Sequence, residues 1–65
     1  MQTLEEVRRK LRTHLGAEEV PKLVNTRVFL RTGVNLTQPA PHQNADAALV
    51  TKVVTALREF GYPIT

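Results

Sequence analysis

Apolar residues recur every three or four positions in two segments of this chain, a spacing that predicts amphipathic α-helices. In the segment near the N-terminus these residues are Leu4, Val7, Leu11 and Leu15. Thr3 and Glu6 match a capping box, in which each side chain satisfies a free backbone N–H of the other residue. Gly16 supplies the left-handed residue at which such a helix ends. The pattern predicts a helix over residues 4–15.

A second helix is predicted toward the other end of the chain. With ~100° between successive residues, six apolar side chains fall in one arc of roughly 140°: Leu49, Val50, Val53, Val54, Leu57 and Phe60. Asn44 or Asp46 is the expected N-cap, because both side chains can accept a hydrogen bond from the first turn. Gly61 is expected to end the helix, and Pro63 prevents its continuation.

The segment between these helices is harder to assign. Residues 17–24 begin with two acids and contain Pro21, a pattern typical of the first turns of a helix. Thr26 can then cap a short further helix that ends at Gly33. On this interpretation the chain consists of three to four helices.

The same segment also fits a β-hairpin, in which residues 27–30 and 34–36 are strands joined by a loop over 31–33. We favour the helix, because its neighbours are helical and an isolated two-stranded hairpin is only marginally stable. The predicted fold is therefore mainly α, a small three- to four-helix domain compatible with a helix-turn-helix. The alternative is an α+β domain with a short hairpin between two helices.

The predicted core lies between the two amphipathic helices and is closed by the middle segment. The side chains expected to close it are Leu23, Val24, Val28, Leu30 and Val34. Residues 37–43 contain Pro39 and Pro41, which favour an extended polyproline II conformation. We therefore expect an extended connector that lets the last helix pack back against the first.

Length and composition narrow the class of protein. A chain of 65 residues predicts a single domain, with a core near the lower limit for stability without a disulfide or a metal. The absence of cysteine excludes a disulfide framework and fits a reducing, cytoplasmic location. No apolar run approaches the roughly 18 residues of a membrane span. The N-terminus lacks the pattern of a signal peptide, so no membrane association is expected.

The first helix is rich in basic residues, but its pattern indicates a solvated surface. Two acid–base pairs stand four residues apart in the orientation that stabilises helix ion pairs: Glu5 with Arg9, and Glu6 with Lys10. The other two cations, Arg8 and Arg12, lie beside the apolar stripe and are expected to cover the edge of the core.

Between Lys22 and Ala45 the chain has three cations, Lys22, Arg27 and Arg31, and no carboxylate. A solvated surface normally mixes both signs, and the net charge of +3 favours a polyanionic partner. In a helix, Arg27 and Arg31 would share one side. Basic residues and threonine are common contacts of phosphate. The sequence therefore predicts a small DNA- or RNA-binding regulatory protein that contacts phosphate through Lys22, Thr26, Arg27 and Arg31.

The alternative function is a protein-interaction or assembly module that uses an apolar patch to bind a partner or, as a homodimer, a second copy. Tyr62 and Ile64 follow the predicted end of the last helix, where a monomer has little need of apolar residues. On this hypothesis, the residues left outside the core for a partner are Phe29, Val34, Leu36, Tyr62 and Ile64.

Catalysis, metal binding and cofactor binding are not expected. The chain has no serine or cysteine nucleophile and no glycine-rich loop to hold phosphate. Its two histidines, His14 and His42, lack the spacing of a metal site, although Asp46 lies near His42 in sequence. We therefore expect a binding protein and not an enzyme.

Overall fold

Three α-helices make up the regular secondary structure of residues 2–64, the part of the chain that the computed structural model describes. They are α1, Leu4–Leu15; α2, Lys22–Thr32; and α3, Ala47–Glu59. Both α1 and α2 pack against α3. Because residues 2–64 contain no strand, the mainly α prediction is confirmed and the hairpin alternative is wrong.

The helix-turn-helix detail of the prediction is not confirmed. The helices of that motif are joined by a turn of about three or four residues. Residues 16–21 join α1 to α2, but these two helices do not pack against each other. Residues 33–46 join α2 to α3, which do pack together, and this connection is much longer than the turn of the motif.

Both ends of α1 are formed by the residues that the sequence indicates. Thr3 Oγ1 accepts a hydrogen bond from the backbone N–H of Glu6 at 3.3 Å. At the other end, Gly16 adopts a left-handed φ of 65°, a conformation that favours glycine. Its N–H donates to the carbonyl oxygen of Thr13 at 3.2 Å. The predicted helix over residues 4–15 is confirmed.

Asn44 and Asp46 cap two different helices. Asp46 caps α3, because its Oδ1 accepts from the N–H groups of the second and third residues of that helix at 3.0 and 3.2 Å. Asn44 caps α1 instead. Its backbone oxygen accepts from the N–H of the first residue of α1 at 2.9 Å, and its Oδ1 accepts from the second at 3.0 Å. The start of α1 is therefore tied to the segment that precedes α3.

The start of α2 differs from the prediction. Pro21 occupies the N-cap position, and its carbonyl oxygen accepts from the N–H of Asn25 at 3.0 Å. Proline has no side-chain acceptor, so the first N–H groups of α2 receive no side-chain cap. The expectations of a helix over 17–24 and of a cap at Thr26 are therefore wrong, since Thr26 lies inside α2. Gly33 ends the helix as expected, with a left-handed φ of 76°.

The core draws on all three helices and on the segments outside them. Its fully buried large side chains are Leu4, Val7, Leu11, Val28, Val34, Leu36, Val53 and Leu57. The sequence places Leu23 and Leu30 in this core, and the alternative function leaves Leu36 and Ile64 outside it. Both expectations are wrong, because Leu23 and Leu30 are exposed and Leu36 and Ile64 are buried. Val34, which the predicted fold assigns to the core and the alternative function to the apolar patch, is buried.

The connector between α2 and α3 folds against the helices. Asn25 Oδ1 accepts hydrogen bonds from the N–H groups of Leu36 and Thr37, at 2.7 and 3.3 Å. Residues 41–45 then form consecutive turns. The expected extended conformation over 37–43 is therefore wrong at its C-terminal end, where the turns bring the cap of α1 into position.

Two arginines of α1, Arg8 and Arg12, lie partly buried at the edge of the core. Arg8 Nη1 is 3.2 Å from Oε1 of Glu5, which pairs with Arg8 rather than with Arg9. Arg12 donates from Nη1 to the backbone oxygen of Glu18 at 3.2 Å. These contacts orient both side chains along the helix surface and hold the segment after α1 close to it.

Candidate functional site

One side of α2 is left open to solvent because only the other side packs on α3. Val24 and Val28, one turn apart, are the residues by which α2 enters the core. Residues three, four and seven positions after Leu23 share its side of the helix, which turns away from the core. We define the outer face of α2 as these four exposed residues: Leu23, Thr26, Arg27 and Leu30.

The outer face is apolar at both ends. Leu23 is 65% exposed and Leu30 is 80% exposed, although leucine is a residue that folded proteins usually bury. Phe29, on the flank of the helix next to Leu30, is 52% exposed. Within residues 2–64 these three are the exposed large hydrophobic residues, so α2 carries all of them.

The residues predicted to contact phosphate fall on different parts of α2. Thr26 and Arg27 belong to the outer face, and Lys22 is exposed as the first residue of the helix. In the described part of the chain, no carboxylate oxygen lies within 4.0 Å of Lys22 or Arg27. Their charges are therefore uncompensated by close ion pairs.

Arg31 turns from α2 toward the C-terminal end of α3. Its Nη1 is 2.5 Å from Oε2 of Glu59, and its Cζ lies 5.6 Å from the centre of the Phe60 ring. The second distance is within the range of a cation–π interaction. The structure thus brings Arg27 and Arg31 to neighbouring positions, but Arg31 is already paired with a carboxylate.

An open cleft of about 400 Å³ lies between α2 and the end of α3, lined by Arg27, Leu30, Arg31 and Phe60. Two guanidinium groups and two apolar side chains therefore line the same shallow, solvent-open surface. Arg31 is held in place by Glu59 and Phe60, so this wall of the cleft is formed without a partner. Such a site suits an apolar side chain with a carboxylate beside it.

Other grooves of the molecule have a more polar character. One, also between α2 and α3, is lined by threonine and charged side chains that include Thr51, Lys52 and Thr55. Another lies between α1 and the segment after α3, beside Arg9 and His14. Exposed leucine or phenylalanine lines neither of them. The outer face of α2 and its cleft are distinguished by large apolar residues next to cations.

The sequence predicts the cations of this surface, but it assigns Leu23 and Leu30 to the core. Of the residues expected in an apolar patch, Phe29 is exposed and Tyr62 is partly buried against the core. The missed signal is that α2 carries two apolar stripes, one containing Val24 and Val28 and the other Leu23 and Leu30. A helix that packs on a single neighbour can bury only one such stripe.

Residues 2–64 contain no group of three histidine or acidic side chains that could hold a metal ion. No helix in the same part of the chain has the length and the apolar character needed to cross a bilayer. No family model, curated protein or solved structure matches the chain.

Proposed function

We propose that this protein is a protein-interaction module that binds its partner through the outer face of α2. One observation carries the proposal: Leu23 and Leu30 are 65% and 80% exposed on the same side of one helix. Burial of a leucine side chain is worth about 1.5–3 kcal/mol. The two side chains therefore offer binding energy that the folded monomer does not use.

The composition of the surface supports the same proposal. Single apolar residues scattered on a surface are ordinary, but two leucines on one helical face beside Phe29 are typical of an interface. Arg27 stands between them, and arginine is enriched at protein interfaces. The leucines are also dispensable for packing, since Val24 and Val28 anchor α2 in the core.

Nucleic-acid binding is a second candidate, favoured by the absence of acidic residues from α2. Lys22, Thr26 and Arg27 are exposed and are suitable contacts for phosphate. Arg31 keeps free N–H donors, but its charge is already offset by Glu59. About two free cations give only weak and salt-sensitive binding. We therefore place this candidate below protein binding.

The protein-binding proposal is tested with the double variant L23N/L30N and a matched control, R9N/T13N, on the exposed surface of α1. Proteins that the wild type retains from a lysate of its source organism are purified. Isothermal titration calorimetry then measures each affinity. We expect L23N/L30N to bind the purified partner at least about tenfold more weakly, a loss of ~1.4 kcal/mol. The control variant should bind as the wild type does, and an equal affinity for L23N/L30N would contradict the proposal.

The nucleic-acid candidate requires a separate titration. A short DNA duplex and a single strand are added to the ¹⁵N-labelled protein at salt concentrations of about 50 and 200 mM, across which phosphate contacts weaken steeply. Shifts confined to residues 22–31, stronger at low salt and abolished in R27Q, would support nucleic-acid binding. If the spectrum does not change when nucleic acid is added at the lower salt concentration, the nucleic-acid candidate is refuted.

A further inference from the structure

The charged residues of α2 itself are all basic. No acidic residue occurs in α2, whose charged residues are Lys22, Arg27 and Arg31. The carboxylate of Glu59 reaches this region from α3, and Arg31 engages it. Arg27 is left without a close counter-charge, beside the most exposed leucine of the described chain, Leu30.

The cleft next to Leu30 combines an apolar contact with hydrogen-bond donors for a carboxylate. Leu30 and Phe60 provide the apolar surface, and Arg27 and Arg31 stand beside them. A guanidinium group has five N–H donors, and the contact of Arg31 with Glu59 uses Nη1. Both arginines can therefore donate hydrogen bonds to a carboxylate of a bound molecule.

We infer that the partner of this face is an acidic amphipathic segment of another protein, an inference that rests on the proposed function. Apolar residues of the segment cover Leu23 and Leu30 and enter the cleft, while its carboxylates pair with Arg27 and Arg31. The two leucines are about 10 Å apart along α2, at 1.5 Å per residue. A helix with apolar residues at i, i+4 and i+7 spans the same length.

A second copy of the chain fits this face poorly. In an antiparallel pair about a twofold axis, Leu23 of each α2 would approach Leu30 of the other, which places both Arg27 side chains near the axis. Two guanidinium groups without a carboxylate between them repel each other. The net charge of +3 on each copy adds to that repulsion.

The test uses four synthetic helical peptides and the intact protein. The first peptide has leucine at i, i+4 and i+7 and glutamate at the flanking positions. The second has lysine for glutamate, the third has alanine for leucine, and the fourth is a scrambled form of the first. Fluorescence anisotropy measures each affinity, and NMR shifts of the ¹⁵N-labelled protein locate the site. We expect the first peptide to bind at least about tenfold tighter than the others, with shifts at residues 22–31 and Phe60.

Charge reversal then identifies the role of Arg27. We expect R27E to weaken binding of the glutamate peptide at least about tenfold and to strengthen binding of the lysine peptide. R9E makes the same change of charge on α1 and should leave both affinities unaltered. Loss of folding cannot explain weaker binding of the glutamate peptide together with stronger binding of the lysine peptide, because an unfolded variant would bind neither peptide well. If R27E weakens the glutamate peptide no more than R9E does, the inference is overturned.

The remaining outcomes separate this inference from the proposed function. If L23N/L30N loses the purified partner but the protein shows no preference for the glutamate peptide, the acidic partner is refuted and protein binding through α2 stands. If neither the leucines nor Arg27 affects any binding, both are refuted. Sedimentation of the wild type as a dimer, and of L30N as a monomer, would show that a second copy of the chain covers this face. That result would overturn the inference of an acidic segment. Leucine-dependent binding to phosphatidylserine vesicles, or Arg27-dependent binding to a duplex, would likewise overturn the inference.

Discussion

Single polar side chains hold the helix ends and loops of this small fold in place. Asn25, Asn44 and Asp46 each direct a side-chain oxygen at backbone N–H groups that lack a partner within a helix. Of the three, Asn25 joins α2 to the connector that follows it, through a 2.7 Å bond from the N–H of Leu36. Because the side chain of Leu36 is fully buried, this bond also fixes part of the core.

Replacement of Asn25 by alanine should destabilise the protein by about 1–3 kcal/mol, because the N–H of Leu36 loses its acceptor in a partly buried position. Urea denaturation followed by circular dichroism measures the free energy of unfolding. The N25D variant keeps an oxygen at the same place and should retain most of the stability. Equal losses in N25A and N25D would show that this hydrogen bond contributes little.

The helices differ in how their apolar residues are used. α1 and α3 bury one stripe each, whereas α2 buries Val24 and Val28 and leaves Leu23 and Leu30 in water. A leucine that is 80% exposed in the monomer contributes little to the free energy of folding. This difference between the two stripes can be measured directly.

We expect L30Q to change the free energy of unfolding by no more than about 0.5 kcal/mol, as for most surface substitutions. V28A, two positions earlier on the buried stripe, should cost about 1.5–3 kcal/mol through lost burial and a cavity. Urea denaturation of both variants gives the comparison. A loss in L30Q as large as that in V28A would mean that the outer face supports the fold of the monomer.

The sequence predicts α1 and α3 well because their boundaries depend on neighbouring residues. Thr3 caps α1 and Gly16 ends it through contacts within a few positions, and Asp46 caps α3 in the same way. Their apolar stripes are single, so each helix has one side that must face the core. The capping role of Asn44 could not be read locally, since its partners lie about forty positions earlier.

The structure of α2 and its site could be predicted only in part. The three cations follow from the sequence, but the choice between two apolar stripes depends on where α3 packs. The pairing of Arg31 with Glu59 joins residues 28 positions apart. No local sequence pattern predicts such a contact. The contact determines that Arg27, and not Arg31, keeps an uncompensated charge.

At the scale of the whole molecule, residues outside the helices complete the core. Four of the thirteen buried hydrophobic residues of the described chain lie outside the helices: Val20, Val34, Leu36 and Ile64. Ile64 follows α3 and is only 4% exposed. In a domain this small, each such contact is a large share of a total stability on the order of 5–15 kcal/mol.

Shortening of Ile64 should therefore weaken the entire fold in proportion to the volume removed. We expect I64V to cost about 0.5–1.5 kcal/mol and I64A about 2–4 kcal/mol. In a domain of this size each kcal/mol lowers the unfolding midpoint by roughly 4–8 °C. Thermal denaturation followed by circular dichroism gives the two shifts. An I64A midpoint equal to that of the wild type would show that the segment after α3 is not part of the cooperative core.

The long-range cap on α1 has a consequence during translation. α1 has twelve residues and leaves the ribosome before α2 and α3, and an isolated helix of that length is marginal in water. Asn44, which closes its first turn, and α3, which covers its apolar side, are synthesised later. We therefore expect α1 to remain largely unfolded on the ribosome until α3 has emerged, and to be open to chaperones and proteases throughout that interval.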